Sequence, residues 1–215
     1  MTHPIAVFAL LSALGALLDF SRRQIVVKIL YHGPGTGPAE NLRWIHKLSP
    51  PSAEAKMRSS PSGLVVSLSL GDVRGFKTKL HLYSSLEGES LDVWRNRSLR
   101  NLDGIVFVAD ADATRASATN QSLTVLKGGL CERGGEHFVL SAVRDVEQQP
   151  APHPVPVVLQ VLGTDKPGAS SREHMVKLFN GHERAVFDAD PTHGVGVWET
   201  LKAITRESLE ELTKT

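Results

Sequence analysis

Three glycines in five residues, Gly33-Pro34-Gly35-Thr36-Gly37, are the stretch whose composition and spacing point most directly to chemistry. A glycine-rich turn between a strand and a helix aims backbone N–H groups and the positive end of the helix dipole at one spot. That spot favours an anion, phosphate above all. A nucleotide-binding loop of this kind reads G-x-x-x-x-G-K-[ST]. Its lysine counters the β- and γ-phosphate charge and its hydroxyl holds Mg²⁺. Counted without a gap from Gly33, Pro38 falls on the second glycine, Ala39 on the lysine and Glu40 on the hydroxyl residue. The frame of a nucleotide site is present and its working side chains are gone. Glu40 suits the helix dipole and repels phosphate, so it reads as a built-in anion in place of a ligand.

The loop needs a strand before it and a helix after it. Ile25–Leu30 is an apolar, β-branched run that predicts a buried strand, and Pro38 opens a helix through Leu42, Trp44 and Ile45. Ser49–Gly63, with Pro50, Pro51 and Pro61, predicts a mobile loop. Leu64–Leu70 and Phe76–Tyr83 predict an antiparallel hairpin turning at Gly71–Gly75. In it Leu68, Leu70, Leu80 and Leu82 face the core, and Lys77, Lys79 and His81 face out. Leu91–Leu102 reads as a helix with Arg95, Arg97 and Arg100 on its polar side, and Gly104–Asp110 as a central parallel strand covered on both faces. Thr114–Leu130 predicts a helix; His137–Val146 fits either a helix or a strand. Val155–Leu162 is a strand, Ser171–Phe179 a helix capped by Ser170 or Ser171 and stopped at Gly181, Ala185–Asp188 a strand, and Val195–Leu212 a closing helix. Strands alternating with helices argue an α/β fold: a doubly wound, mostly parallel sheet with one antiparallel edge strand and helices on both faces. Trp44, Trp94 and Trp198 fall on helices and are expected in the core.

Composition narrows the function. The chain has 215 residues and a net charge of +1 from 24 basic and 23 acidic side chains, a balance that gives no support to a nucleic-acid partner. One cysteine, Cys131, excludes an intrachain disulfide and fits a reducing cytoplasm. The nine histidines show no metal-ligand spacing, so no metal site is expected. Ile5–Leu18 carries no charge, yet it is shorter than the about 20 residues that span a bilayer, and Asp19-Phe20-Ser21-Arg22-Arg23 is no cleavage site. It reads as an apolar extension over residues 1–22, packed on a domain over 23–215; the alternative is a handle for a partner or a membrane surface.

Leu68–Tyr83 with the serine before it, SLSLGDVRGFKTKLHLY, together with GPG in the loop, LDGIVFVAD and THGVGVWETLKA, resembles the bacterial MglA-type gliding-motility GTPases. These are Ras-like small GTPases that set cell polarity. The resemblance covers about Arg23–Lys214. It implies a Ras-like fold, a guanine nucleotide with Mg²⁺ and a roadblock-type activating partner.

Carried over residue by residue, most functional positions fail. The family ends its phosphate loop in glycine, lysine and threonine where this chain has Pro38, Ala39 and Glu40, and Asn41-Leu42 sits one residue early. The first switch should give a threonine to Mg²⁺; the region here is Ser59-Ser60-Pro61-Ser62-Gly63. The second switch should carry Gly-Gln; this chain has Glu87-Gly88-Glu89. Of the base-reading Asn-Lys-x-Asp, only Asp165 survives in Leu162-Gly163-Thr164-Asp165. The last loop, Asp190-Pro191-Thr192-His193-Gly194, keeps its shape, and residues around Gly134–Pro154 depart from the family pattern. The resemblance therefore implies a vestigial nucleotide pocket at Gly33, Gly35, Gly37, Pro38, Ala39, Glu40, Asp165, Thr192 and Gly194. It implies no catalysis, no required cofactor, and a protein-binding surface at Lys77, Lys79, His81, Glu87 and Glu89. The alternative is a slow GTPase holding GTP or GDP with Mg²⁺ through the Gly33–Gly37 amides and Asp165.

Overall fold

The longest apolar runs become the strands of one sheet, and the amphipathic segments become the helices that cover it. The computed structural model describes residues 18–19, 24–60, 63–73, 76–86, 102–131, 140–141, 154–179 and 185–213. A two-residue strand, β1 (Leu18–Asp19), runs antiparallel to β2 (Gln24–His32), which leads through the glycine loop into α1 (Gly37–Leu48). Three strands follow: β3 (Lys56–Ser60), β4 (Gly63–Val73) and β5 (Phe76–Ser84). Then come β6 (Gly104–Asp110), α2 (Ala116–Cys131), β7 (Leu140–Ser141), β8 (Pro154–Val155) and β9 (Val157–Leu162). The chain closes with α3 (Arg172–Leu178), β10 (Val186–Ala189) and α4 (Val197–Thr213).

The main sheet has the order β10-β9-β6-β2-β5-β4-β3, with β1 beside β2. β10, β9, β6, β2 and β5 pair in parallel, and β4 is antiparallel to β5. This is the doubly wound sheet expected, with its antiparallel edge. One core lies between the sheet and α1 and α4, where Val27, Ile29, Leu80 and Leu82 meet Leu42, Ile45, Leu201 and Ile204. The other lies between the sheet and α2 and α3, where Phe107, Leu159 and Val161 meet Leu123, Leu126, Met175 and Phe179. β6 is buried on both faces, as its continuous GIVFVAD run requires.

Several expectations need correction. Ser49–Gly63 is not a loop throughout, because Lys56–Ser60 forms β3, antiparallel to β4. The β4–β5 ladder runs on to Val73↔Phe76, past the turn expected to begin at Gly71. Leu70 is 49% exposed rather than in the core. The register shifts between Ser69 and Gly71, and this bulge takes Leu70 out of the alternation that buries Leu68. The closing helix starts at Val197, since Val195 pairs with Asp190 through both of its backbone groups. α3 keeps the expected cap: the Ser171 hydroxyl accepts from the His174 N–H at 3.2 Å. Of His137–Val146 only Leu140–Ser141 is described, as a strand paired with Pro154–Val155. Residues 1–17, the helix expected before Leu102, and the stop at Gly181 lie outside the described residues.

Candidate functional site

β2 and β6 lie side by side, and the helices that follow them, α1 and α2, pack on opposite faces of the sheet. The C-terminal ends of these two strands are therefore the topological switch point, where open α/β sheets hold ligands. The glycine loop occupies that point. A methyl group on Gly33 would run into the Val108 carbonyl oxygen, so only glycine lets β2 end this close to β6. One on Gly37 would come within 2.6 Å of Leu162 Cδ1, and Pro38 is buried behind it.

The first turn of α1 is closed by its own residues. The helix starts at Gly37, one residue before the Pro38 expected. The Glu40 N–H donates to the Thr36 carbonyl at 2.9 Å, and the Thr36 hydroxyl donates to Glu40 Oε1 at 2.6 Å. Ala39 and Glu40 are half-buried. The cation at the loop comes from elsewhere in the chain. Arg115 Nη2 lies 2.6 Å from where a Gly35 Cβ would stand, and Gly35 has φ +68, the left-handed conformation that favours glycine. Arg115 Nε is 3.1 Å from Asp110 Oδ2 at the end of β6.

The remaining loops sit at the ends of neighbouring strands. Asp165 is exposed in the turn after β9, where Lys166 packs over Gly163. After β10, Asp190 Oδ1 accepts from the Thr192 N–H at 2.9 Å and Oδ2 lies 2.6 Å from His193 Nδ1. The hydrogen bond from His193 holds the Asp190 carboxyl below the usual carboxylate range. Thr192 is exposed, and a methyl on Gly194 would run into the Trp44 ring, so this loop is tied to α1. Gly33–Glu40, Asp165, Thr192 and Gly194 thus share one end of the sheet. Lys77, Lys79 and His81 do not: they lie along β5, before its C-terminal end, with Lys77 exposed and the other two half-buried. Glu87 and Glu89 lie outside the described residues. Ser59 and Ser60, in the region where the family gives a threonine to Mg²⁺, are ladder residues of β3, and the Ser60 hydroxyl donates to the Gly63 carbonyl at 2.9 Å.

Two features escaped the sequence reading. Under the loop runs a buried polar chain. Asn41 Nδ2 donates to the Gly37 carbonyl at 3.0 Å and to Gln160 Oε1 at 2.7 Å. Gln160 Nε2 donates back to Asn41 Oδ1 and on to Thr200 Oγ1, each at 3.1 Å, and Thr200 donates to the Gly196 carbonyl at 2.6 Å. The start of α1, the centre of β9 and the start of α4 are so locked together. The one polar residue in the apolar run VVLQVL was its signal. The second is His32, 4% exposed at the end of β2, with Nε2 3.0 Å from the Ser122 carbonyl. Burial pushes its imidazole down to about 4 against that hydrogen bond, so it is neutral at pH 7.

Among the described residues no cluster of side chains is arranged to hold a metal ion, and no helix is long and apolar enough to cross a membrane. No family model matches the chain. It is 33% identical over 207 residues to the mutual gliding-motility protein MglA of Myxococcus xanthus strain DK1622, a match that covers 93% of this chain and 98% of that protein. With that identity along nearly the whole length of both proteins, and the doubly wound sheet carrying a glycine loop at its switch point, the chain belongs to the MglA-like family of Ras-fold small GTPases.

Proposed function

We propose that this chain is a pseudo-GTPase, a Ras-fold interaction module that works without nucleotide turnover in a gliding-motility or cell-polarity complex. Its partner is a protein, with a roadblock-type regulator the first candidate. One observation carries the reading: the first turn of α1 presents Pro38, Ala39 and a Thr36–Glu40 hydrogen bond where a nucleotide site needs a lysine and a free hydroxyl. A hydrogen bond to a charged group contributes about 1.5–3 kcal/mol. Losing two such bonds removes about two to four decades of affinity. A carboxylate at the same turn adds repulsion toward phosphate.

The test is isothermal titration of the purified chain with GTP, GDP and ATP in the presence of Mg²⁺, with the eluted protein checked for bound nucleotide. No heat at millimolar ligand and no co-purified nucleotide is the expected result. Micromolar binding of GTP or GDP overturns the nucleotide-free reading. Arg115 favours the second reading, a slow GTPase, because its guanidinium stands at Gly35 and brings positive charge to the loop. GTP turnover above background that is lost in Arg115→Ala would establish it.

A further inference from the structure

The half of the sheet away from the glycine loop carries positive charge on one face. The register places Lys28 beside His81, His81 beside Ser67, and Ser67 beside Lys56. Lys79 stands beside Ser69, two residues along β5, and Arg58 stands opposite Val65. Lys56, Arg58, Lys79 and His81 line a groove of about 300 Å³ with Ser67, Ser69 and Met57, and Glu54 is the one acid in it. The helices α1 and α4 pack on the opposite face of these strands. Among the described residues, Lys56, Arg58 and Lys79 have no ion-pair partner. Burial, and then the charges of Lys28, Lys79 and Arg58, hold the His81 imidazole below its ordinary range; the Tyr83 ring packs edge-on at 6.5 Å.

A simple alternative is that the cations guard an edge strand against self-association. That accounts for Lys56 and Arg58 on β3. It does not account for Lys79 and His81, which stand two strands in, or Lys28, three strands in, where no edge is open. Clustered like charges repel one another, so the arrangement calls for an anionic occupant. The groove also selects among anions. It is recessed, with Lys79 and His81 half-buried, and a flat bilayer reaches such positions poorly. Its serine hydroxyls stand beside the cations, and Met57, 42% exposed, stands on the other face of the same edge strand, which suits the alternating side chains of an extended peptide better than a phosphate backbone.

We infer that the groove of β3–β5 is the docking site for an acidic segment of a partner protein, whose carboxylates meet Lys56, Arg58 and Lys79 and whose apolar side chain meets Met57. This rests on the reading of the chain as an interaction module and names the chemistry of its partner. The test is fluorescence anisotropy with the full chain and a labelled octapeptide of glutamate alternating with valine. A lysine–valine octapeptide and phosphatidylserine vesicles serve as the comparisons. The expected result is saturable binding of the acidic peptide, weakened about tenfold or more by Arg58→Glu and by Lys79→Glu and left unchanged by Lys47→Glu on α1. Should a reversal disturb the fold, Arg58→Gln and Lys79→Gln with an unaltered circular dichroism spectrum take its place. The inference is overturned by no binding at millimolar peptide, by indifference to these substitutions, or by vesicles that bind and displace the peptide. Nucleotide is absent throughout, so a failure here leaves the calorimetric result standing, and nucleotide binding in the calorimeter leaves the peptide result standing.

Discussion

At the nucleotide end of the sheet three carboxylates are met from within the chain, and across β3–β5 three cations meet no carboxylate among the described residues. Glu40 takes the Thr36 hydroxyl, Arg115 stands on Asp110, and Asp190 holds His193. Lys56, Arg58 and Lys79 meet no carboxylate among the described residues. The first region has the tight glycine geometry of a phosphate loop, with internal contacts on its charged groups. The second has ordinary sheet geometry and cations with no carboxylate on them among the described residues. Under the proposed function, the first region holds its order without a ligand, and the second is where a partner completes the electrostatics.

The comparison breaks first if the glycine loop is not rigid. Gly33→Ala would press a methyl group against the backbone oxygen of Val108, which is no flexible side-chain end and cannot swing aside. We expect a loss of about 3 kcal/mol in urea denaturation. A loss under about 1 kcal/mol would mean that the loop yields and that its preserved shape is incidental. The next effect is of similar size and depends on pH. His32 has a folded-state value of about 4 against an ordinary 6.5. The unfolded chain therefore binds the proton more readily. The contribution of neutral His32 is complete above pH 6.5 and is lost as pH falls toward 4, about 3 kcal/mol in total. Denaturation midpoints measured from pH 7 to 4 should slope down through this window, and His32→Gln should flatten the slope. An unchanged slope would place the acid sensitivity elsewhere, with His81 the next group to test.

The buried polar chain gives a smaller effect and a sharper one. Asn41→Leu leaves the Gln160 carbonyl oxygen inside the core without its donor, at a cost of about 1–3 kcal/mol. Adding Gln160→Leu removes the stranded amide, and much of the lost stability should return. If the double variant is no better than the single one, the chain from Gly37 to Gly196 acts by packing alone, and the locked geometry of the nucleotide end has another cause.

How far these regions were legible depended on how local their causes are. β6 was read to the residue because burial on both faces forces a continuous apolar run, and the cap of α3 was read to within one residue, Ser170 or Ser171, because the cap bond spans three residues. The glycine loop was read for the same reason, since its residues are consecutive. β3 was missed because KMRSS has exposed side chains and no alternation; β4 makes it a strand. Leu70 was misplaced because a bulge leaves no mark on the period-two pattern before it. Asn41 and Gln160 are 119 positions apart, and Gln160 and Thr200 are 40 apart, so only the strand order brings them together. Arg115 reaches the loop because Gly35 has no side chain in the way, a fact about two distant residues jointly.

The smallest effect tests the other side of the comparison. Lys79 shares the surroundings of His81 with Lys28 and Arg58, and Glu54 is the one acid lining their groove among the described residues. Removing its charge should relieve repulsion, so Lys79→Gln should stabilise the fold, within about 0.5 kcal/mol as for most surface changes. Because the cause is repulsion between solvent-accessible charges, the gain should shrink with added salt and nearly vanish at about 1 M, where the screening length is about 3 Å. Denaturant midpoints at low and high salt read both signs. A loss of stability at low salt would mean that Lys79 is held by the fold as a structural member. In that case its charge is already satisfied, and the two halves of the sheet do not differ in the way their contacts indicate.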